Sequence, residues 1–205
     1  MEMNESLNNV IIKLNNNSTY VNSFNNVFGS SGITSLNISL ALEQFMNSIV
    51  SNNSKYDKFL RGQISLNSSE ERGRVLFFSQ YNSQNPNASF ANCVQCHSGP
   101  NFENNEYMNN GLDTDLDMLD LGRNIVSNSF YDRGAFKVPS LRNIELTPPY
   151  MHDGRFQSLE DVIDHYSTGI QNSNSVNPTL SSLSNLGPLL NAQEKIDLIE
   201  FLKTL

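Results

Sequence analysis

Tryptophan is absent from this sequence and cysteine nearly so, with two in 205 residues, three positions apart. A pair that close supplies no disulfide framework, so whatever holds the chain together is not covalent bridging. Charge is sparse at 17% and has the wrong sign for nucleic acid. Thirteen Lys and Arg against 21 Asp and Glu leave a formal net charge of −8, with no cation excess to displace counterions from phosphates. No run of about 18 apolar residues occurs, so no segment reads as a transmembrane helix. The opening Met1-Glu2-Met3-Asn4-Glu5 is acidic and polar where a secretory leader would be basic and then apolar. On that ground the chain reads as cytoplasmic, a mature form or a fragment. What remains is 38% hydrophobic, enough at this length for one buried core with or without a helical lead-in. Abundant Asn and Ser supply solubility without charge.

Apolar spacing predicts helices at both ends. Leu7, Val10, Ile11 and Leu14 share one helical face, and Val21, Phe24, Val27 and Phe28 form a second short stripe closed by Gly29. Thr34 can cap a longer helix with Leu42, Phe45, Met46, Ile49 and Val50 on its apolar side. Tyr56, Phe59 and Leu60 add a turn or two, stopped by Gly62. Ser68 and Glu71 stand at capping-box spacing ahead of Val75-Leu76-Phe77-Phe78. Near the end, Ser158 caps Leu159, Val162, Ile163 and Tyr166, and Asn191 with Glu194 opens a helix carrying Ile196, Ile199 and Leu202. Residues 80–91 read as a surface loop, and 98–157 show little periodicity. No strand pattern or repeat stands out. The predicted class is all-α with long irregular loops.

The two cysteines lie in Cys93-Val94-Gln95-Cys96-His97. One helical turn apart, both thiols project to the same side and can reach the two vinyl groups on one porphyrin edge. His97 then falls under the ring as the proximal ligand to iron, the pattern of covalent c-type haem attachment. A structural zinc site is the alternative. It needs four ligands, so His152 or His165 would have to complete it. A thioredoxin-like redox pair would need a βαβ context, which is missing. A haem also makes sense of residues 98–157, since a large rigid apolar group can organise loops that bury little by themselves.

Beyond the pentapeptide, several segments resemble bacterial dihaem cytochrome c peroxidases and their MauG-type relatives. They are Cys96-His97-Ser98-Gly99-Pro100, Asp120-Leu121-Gly122-Arg123, Phe136-Lys137-Val138-Pro139-Ser140-Leu141-Arg142-Asn143, and Leu146-Thr147-Pro148-Pro149-Tyr150-Met151-His152-Asp153-Gly154-Arg155-Phe156. Ser54 to Gly62, Gly73 to Phe77, and Leu198 to Leu202 add to the likeness, which covers nearly the whole chain. Enzymes of this family carry two haem domains, each with its own Cys-x-x-Cys-His, and only one occurs here. The resemblance therefore implies the second, electron-transfer domain of a longer enzyme. Residues 1–62 would form a helical lead-in and 63–205 a cytochrome c-like haem domain. In the family a glutamate in a Pro-x-Glu-Met context assists peroxide cleavage at the first haem. Glu2-Met3 matches the tail of that context, and Glu2 reads equally as an ordinary terminal carboxylate.

The resemblance also implies roles around the iron. The family's distal ligand comes from the helix after His-Asp-Gly, at the place held by Tyr166. The simpler peroxidases have Met there and the MauG branch has Tyr. Spacing agrees, because Tyr166 shares the stripe of Leu159, Val162 and Ile163 while His165 is expected off that face. Met151, after Pro-Pro-Tyr, is the alternative distal ligand, His165 a lesser one, and an open iron remains a further possibility. His152 matches a histidine that hydrogen-bonds near the haem without coordinating. Thr147 and Pro149 match positions whose carbonyls help hold a calcium ion between two haem domains. Arg142 and Lys137 stand as partners for haem propionates or as plain surface charges.

Three functions follow. The first is a relay haem, passing electrons from a small cytochrome or cupredoxin to a peroxidatic haem that reduces hydrogen peroxide. A tyrosine ligand tilts it toward MauG-like oxidation of a partner protein. The second is a self-standing monohaem electron carrier, and the third a zinc-binding module. Because haem c is attached outside the cytoplasm, the first two imply a periplasmic or membrane-facing protein.

Overall fold

The computed structural model describes residues 5–85, 88–183 and 190–205. They form a helical protein with one short two-stranded sheet, in two compact units, Met1–Val50 and Ser51–Leu205. Among the described residues no helix is long and apolar enough to cross a membrane.

The first unit holds α1 (Leu7–Asn15), α2 (Ser18–Phe28) and α3 (Ser35–Ser48). Each start is capped by a side-chain oxygen, from Ser6, Asn17 and Thr34, that accepts a backbone N–H left unpaired by the first turn. Gly29 ends α2 with φ +64°, as its position after the apolar stripe predicts. Inside the unit Ile33 and Ile38 are buried beside Asn37, whose amide donates to the Gly32 carbonyl at 2.7 Å. The stripe of Leu42, Phe45, Met46, Ile49 and Val50 forms on α3 and at its end but stays in solvent, with Phe45 63% exposed.

The second unit is organised by α5 (Ser68–Phe78) and α9 (Ala192–Leu202). They meet at Gly73, where a Cβ would sit 1.9 Å from the Asp197 carbonyl oxygen and 2.8 Å from the Phe201 Cβ. Only glycine lets the two backbones touch. The approach brings Phe77 and Phe201 edge to face at 5.3 Å, both wholly buried, with Leu198 beside them. The α4 helix (Lys55–Leu60), expected as the last turn of the lead-in, packs in this unit. Tyr56 meets Phe201 at 5.1 Å, and its N–H donates to the Thr204 carbonyl at 2.9 Å. Asp197 is buried at the same crossing. It accepts from Arg72 through two N–H groups (2.6 and 2.7 Å) and from Ser69 and Gln193, and these bonds hold its carboxyl down at about 2. The N-cap of α5 is Asn67, reciprocated by Glu70, one residue ahead of the expected Ser68 and Glu71. Both pairs have capping-box spacing, and Asn caps as well as Ser, so sequence alone does not choose between them.

The region 98–157 is irregular but not loose. Strands β1 (Tyr107–Met108) and β2 (Phe136–Lys137), unmarked by any sequence pattern, pair antiparallel with Met108 opposite Phe136. Buried Asn109 does for this region what apolar periodicity does elsewhere. Its amide donates to the Arg133 carbonyl and the Ser175 hydroxyl, and its Oδ1 accepts the Gly111 N–H at 2.9 Å. The remaining helices are α6 (Asn124–Ser127), α7 (Leu159–Asp164) and α8 (Pro178–Leu183). Leu159 and Ile163 turn α7 into the shared core.

Replacing Gly73 with alanine should cost about 3 kcal/mol, the upper range for overpacking a core, because backbone rather than a side-chain tip must move. A urea titration should show a correspondingly lower midpoint. An unchanged midpoint would mean that the α5–α9 contact is looser than this geometry.

Candidate haem-binding site

The attachment segment hangs from the end of α5. Ala91 donates to the Leu76 carbonyl and Asn92 to the Ser79 carbonyl, both at 3.0 Å. Asn92 takes the left-handed conformation (φ +55°) that Asn tolerates, which turns the chain into a 3-10 turn at Cys93–Gln95. The His97 N–H donates to the Cys93 carbonyl at 2.9 Å, so Cys93, Cys96 and His97 belong to one compact turn.

Both cysteines are free thiols. Burial pushes Cys93 up to about 12 with Cys96 adding to the rise, and burial raises Cys96 as well. Both are half-buried, on the same side of one turn. Among the described residues no group of three or more His, Cys, Asp or Glu side chains converges as a metal site. Met108, delivered by β1, brings its sulfur within 3.5 Å of Cys96 Sγ.

His97 Nδ1 lies 3.0 Å from the Phe102 carbonyl. A carbonyl only accepts, so Nδ1 carries the proton and Nε2 keeps its lone pair. Burial lowers the pKa of His97 against the opposing pull of the Phe102 and Pro139 carbonyls, which favours the neutral ring. A neutral imidazole oriented through its other nitrogen is what an iron ligand needs. Phe102 is itself buried, with φ +53°.

The candidate distal residues gather around Asn110. Its amide Nδ2 is 3.4 Å from the Tyr166 hydroxyl and 3.4 Å from Met151 Sδ. Burial pushes the Tyr166 hydroxyl up to about 12, with the Asn110 amide opposing and the nearby Cys96 and Cys93 sulfurs adding to the rise. Met151 sits at φ +73° in the tight turn closed by the Tyr150–Phe156 bridge, which aims its sulfur inward at Asn110. His165, expected off the buried face, is instead 6% exposed. It lies edge-on to Tyr166 at 5.1 Å, and its Nε2 is 3.0 Å from the Asn110 carbonyl. His165 keeps the α-helical bond of its N–H to the Asp161 carbonyl, and it is buried because Phe156, 5.7 Å away, and the Asn110 main chain cover this side of the helix too. A π turn follows at His165–Gly169; such turns cluster at functional sites.

The other predicted residues have definite partners. Arg142 makes a two-pronged ion pair with Asp57 (2.9 and 3.0 Å), and its Nε donates to the Pro100 carbonyl at 2.8 Å. It thereby clamps the loop whose Phe102 carbonyl orients His97. Lys137 pairs with Glu103. His152 is exposed and stacks on Phe136 with ring centroids 3.8 Å apart. Thr147 and Pro149 are exposed, and the Thr147 hydroxyl donates to the Ile144 carbonyl at 3.3 Å. Glu2 lies outside the described residues. Sequence reasoning passed over Asn110, Met108, Phe102 and Asp57. The last could have been found from the Ser54–Asp57 capping-box spacing, while the others carry no signal short of the fold.

The Arg142 guanidinium holds the Asp57 carboxyl down from 3.8 to about 2. A group lowered on folding stabilises above its unfolded value and loses that contribution as pH falls through the folded one. Asp57→Asn should therefore flatten the acid limb of urea stability between about pH 4 and pH 2. A limb as steep as the parent's would assign the acid response to the other carboxyls lowered by partners, Asp197 among them.

Comparison with known proteins bears on this arrangement. A family model described as di-haem cytochrome c peroxidase matches residues 1–65. The chain is 33% identical over 209 residues to the methylamine utilization protein MauG of Methylophilus methylotrophus, covering all of this chain and 57% of that protein. It is 38% identical over 148 residues to cytochrome c551 peroxidase of Nitrosomonas europaea, covering 71% of this chain and 41% of that one. A solved MauG-like protein associated with microbial copper homeostasis superposes with TM-score 0.82 at 30% identity, over all of this chain and 64% of that chain. The chain thus spans about half the length of the curated relatives it matches.

Proposed function

The chain belongs to the dihaem cytochrome c peroxidase and MauG family, and on that premise we propose that its second unit is a haem c electron-transfer unit. One haem c is attached through Cys93 and Cys96, with His97 as proximal and Tyr166 as distal ligand. The observation that carries the reading is the pairing of two features of one locus. His97 donates through Nδ1 to the Phe102 carbonyl, and one short stretch of chain sets Met108 against Cys96 and Asn110 against the Tyr166 hydroxyl.

A bound haem c supplies one-electron chemistry. The chain's own residues orient and shield it. Phe102 fixes the His97 ring through its carbonyl, and Arg142 with Asp57 fixes the loop carrying Phe102. Tyr166 offers an oxygen ligand, which lowers a haem potential where methionine would raise it. In this reading electrons arrive from a small cytochrome or cupredoxin, or are drawn from a partner protein. They pass to a peroxidatic haem elsewhere in the enzyme, where hydrogen peroxide is reduced. Because haem c is attached outside the cytoplasm, this reading implies a periplasmic or membrane-facing protein. The second reading, a monohaem electron carrier, draws on the single Cys-x-x-Cys-His of this chain. Peroxide turnover with a reduced donor in the natural full-length protein separates the two, since a carrier would show none.

The pyridine haemochrome spectrum of protein matured with haem c should show the α-band of a doubly attached haem, and its absence would leave no haem reading. Tyr166→Phe should convert a low-spin six-coordinate spectrum to a high-spin one. An unchanged spectrum would make Met151 or His165 the ligand.

A further inference from the structure

We propose that Asn110 selects the distal ligand, favouring Tyr166 over Met151 through its side-chain amide. The inference rests on the haem reading above and adds a residue with a separate role.

The amide of Asn110 has two N–H groups, and its nitrogen is equidistant, at 3.4 Å, from the two side chains able to compete for one iron position. The competitors are not equal as acceptors. A phenolate oxygen bound to a metal keeps lone pairs and takes a charge-assisted hydrogen bond, about twice as strong as a neutral one. A thioether sulfur is a weak acceptor. The same amide therefore favours the anionic oxygen as ligand, while its contact with the Met151 sulfur is weak and gives that side chain little comparable gain.

A selector must be rigid, and Asn110 is held from both sides. Asn109 is buried and bonded to the Arg133 carbonyl and the Ser175 hydroxyl. Gly111 has φ +70°, leaves no room for a Cβ (2.6 Å from Ile170 Cγ2), and receives the Gln171 N–H at 2.8 Å. The Asn110 carbonyl accepts the Nε2 proton of His165 at 3.0 Å. That bond ties the loop to the π turn presenting Tyr166 and commits the third candidate ligand elsewhere. Because it uses the main chain, replacing the Asn110 side chain leaves it in place.

The test uses the ferric haem-loaded protein, read by visible and near-infrared spectra and by reduction potential. In Asn110→Leu the ratio of tyrosinate-ligated haem to other forms should fall at least about tenfold, in line with the loss of one charge-assisted hydrogen bond. A methionine-to-iron charge-transfer band should appear with a raised potential, and both should vanish when Met151→Leu is added. If Asn110→Leu loads haem poorly, the isosteric Asn110→Asp, which replaces the two N–H donors with one acceptor oxygen, should shift the ratio the same way. A spectrum and potential unchanged in both variants would overturn the selector while leaving Tyr166 as ligand. Loss of tyrosinate ligation to a high-spin form alone would overturn the choice between the two ligands. If Tyr166→Phe also leaves the parent spectrum unaltered, the selector and the reading beneath it fall together.

Discussion

At Gly73 the backbone of α5 lies directly against that of α9, with the Asp197 carbonyl in the space where any other residue would put a Cβ. Phe77 and Phe201 can meet edge to face only because of that approach. The end of α5 then stands where its Leu76 and Ser79 carbonyls receive Ala91 and Asn92. The cysteine turn is thus suspended from the best-packed contact in the unit. Its position is inherited from helix packing rather than from its own few bonds.

From the core outward the interactions change character. Near α5 and α9 the chain is held by buried rings. Beyond His97 it is held by polar side chains bonded to main-chain groups, as with Asn109 between three loops and Arg142 between Asp57 and Pro100. Hydrogen bonds of this kind have fixed directions, so they set where a ring nitrogen or a hydroxyl points more narrowly than apolar contact would. A ligand site needs that narrowness. His97 and Tyr166 are each oriented by a partner at one remove, Phe102 and Asn110, and each of those is pinned in turn.

Much of this was legible beforehand, and the misses have identifiable causes. Most helix positions, and the caps at Thr34, Ser158 and Asn191, followed from apolar spacing and cap residues, because these depend on residues close in sequence. The start of α5 slipped by one residue where two capping boxes overlapped. The apolar side of α3 forms as read and is exposed, since periodicity reports only that a face is apolar and not that anything covers it. His165 was assigned outward because it lies off the stripe of Leu159, Val162 and Ile163, but Phe156 and the Asn110 carbonyl cover that side as well, and no local pattern announces a second cover.

By itself the sequence determined the all-α class, the turn at Cys93, Cys96 and His97 as the candidate haem-attachment site, and the family, since each is written in spacing along a short stretch of chain. It also narrowed the distal ligand to a few residues. Only the tertiary structure decided that Tyr166 and Met151 converge on one amide, and that His165 is spent on a carbonyl. It also decided that Arg142 braces the proximal loop. These relations join residues 41, 55, 56 and 85 positions apart. Such distances close only when α5 and α9 pack and the polar bonds between loops form, and no local pattern encodes them.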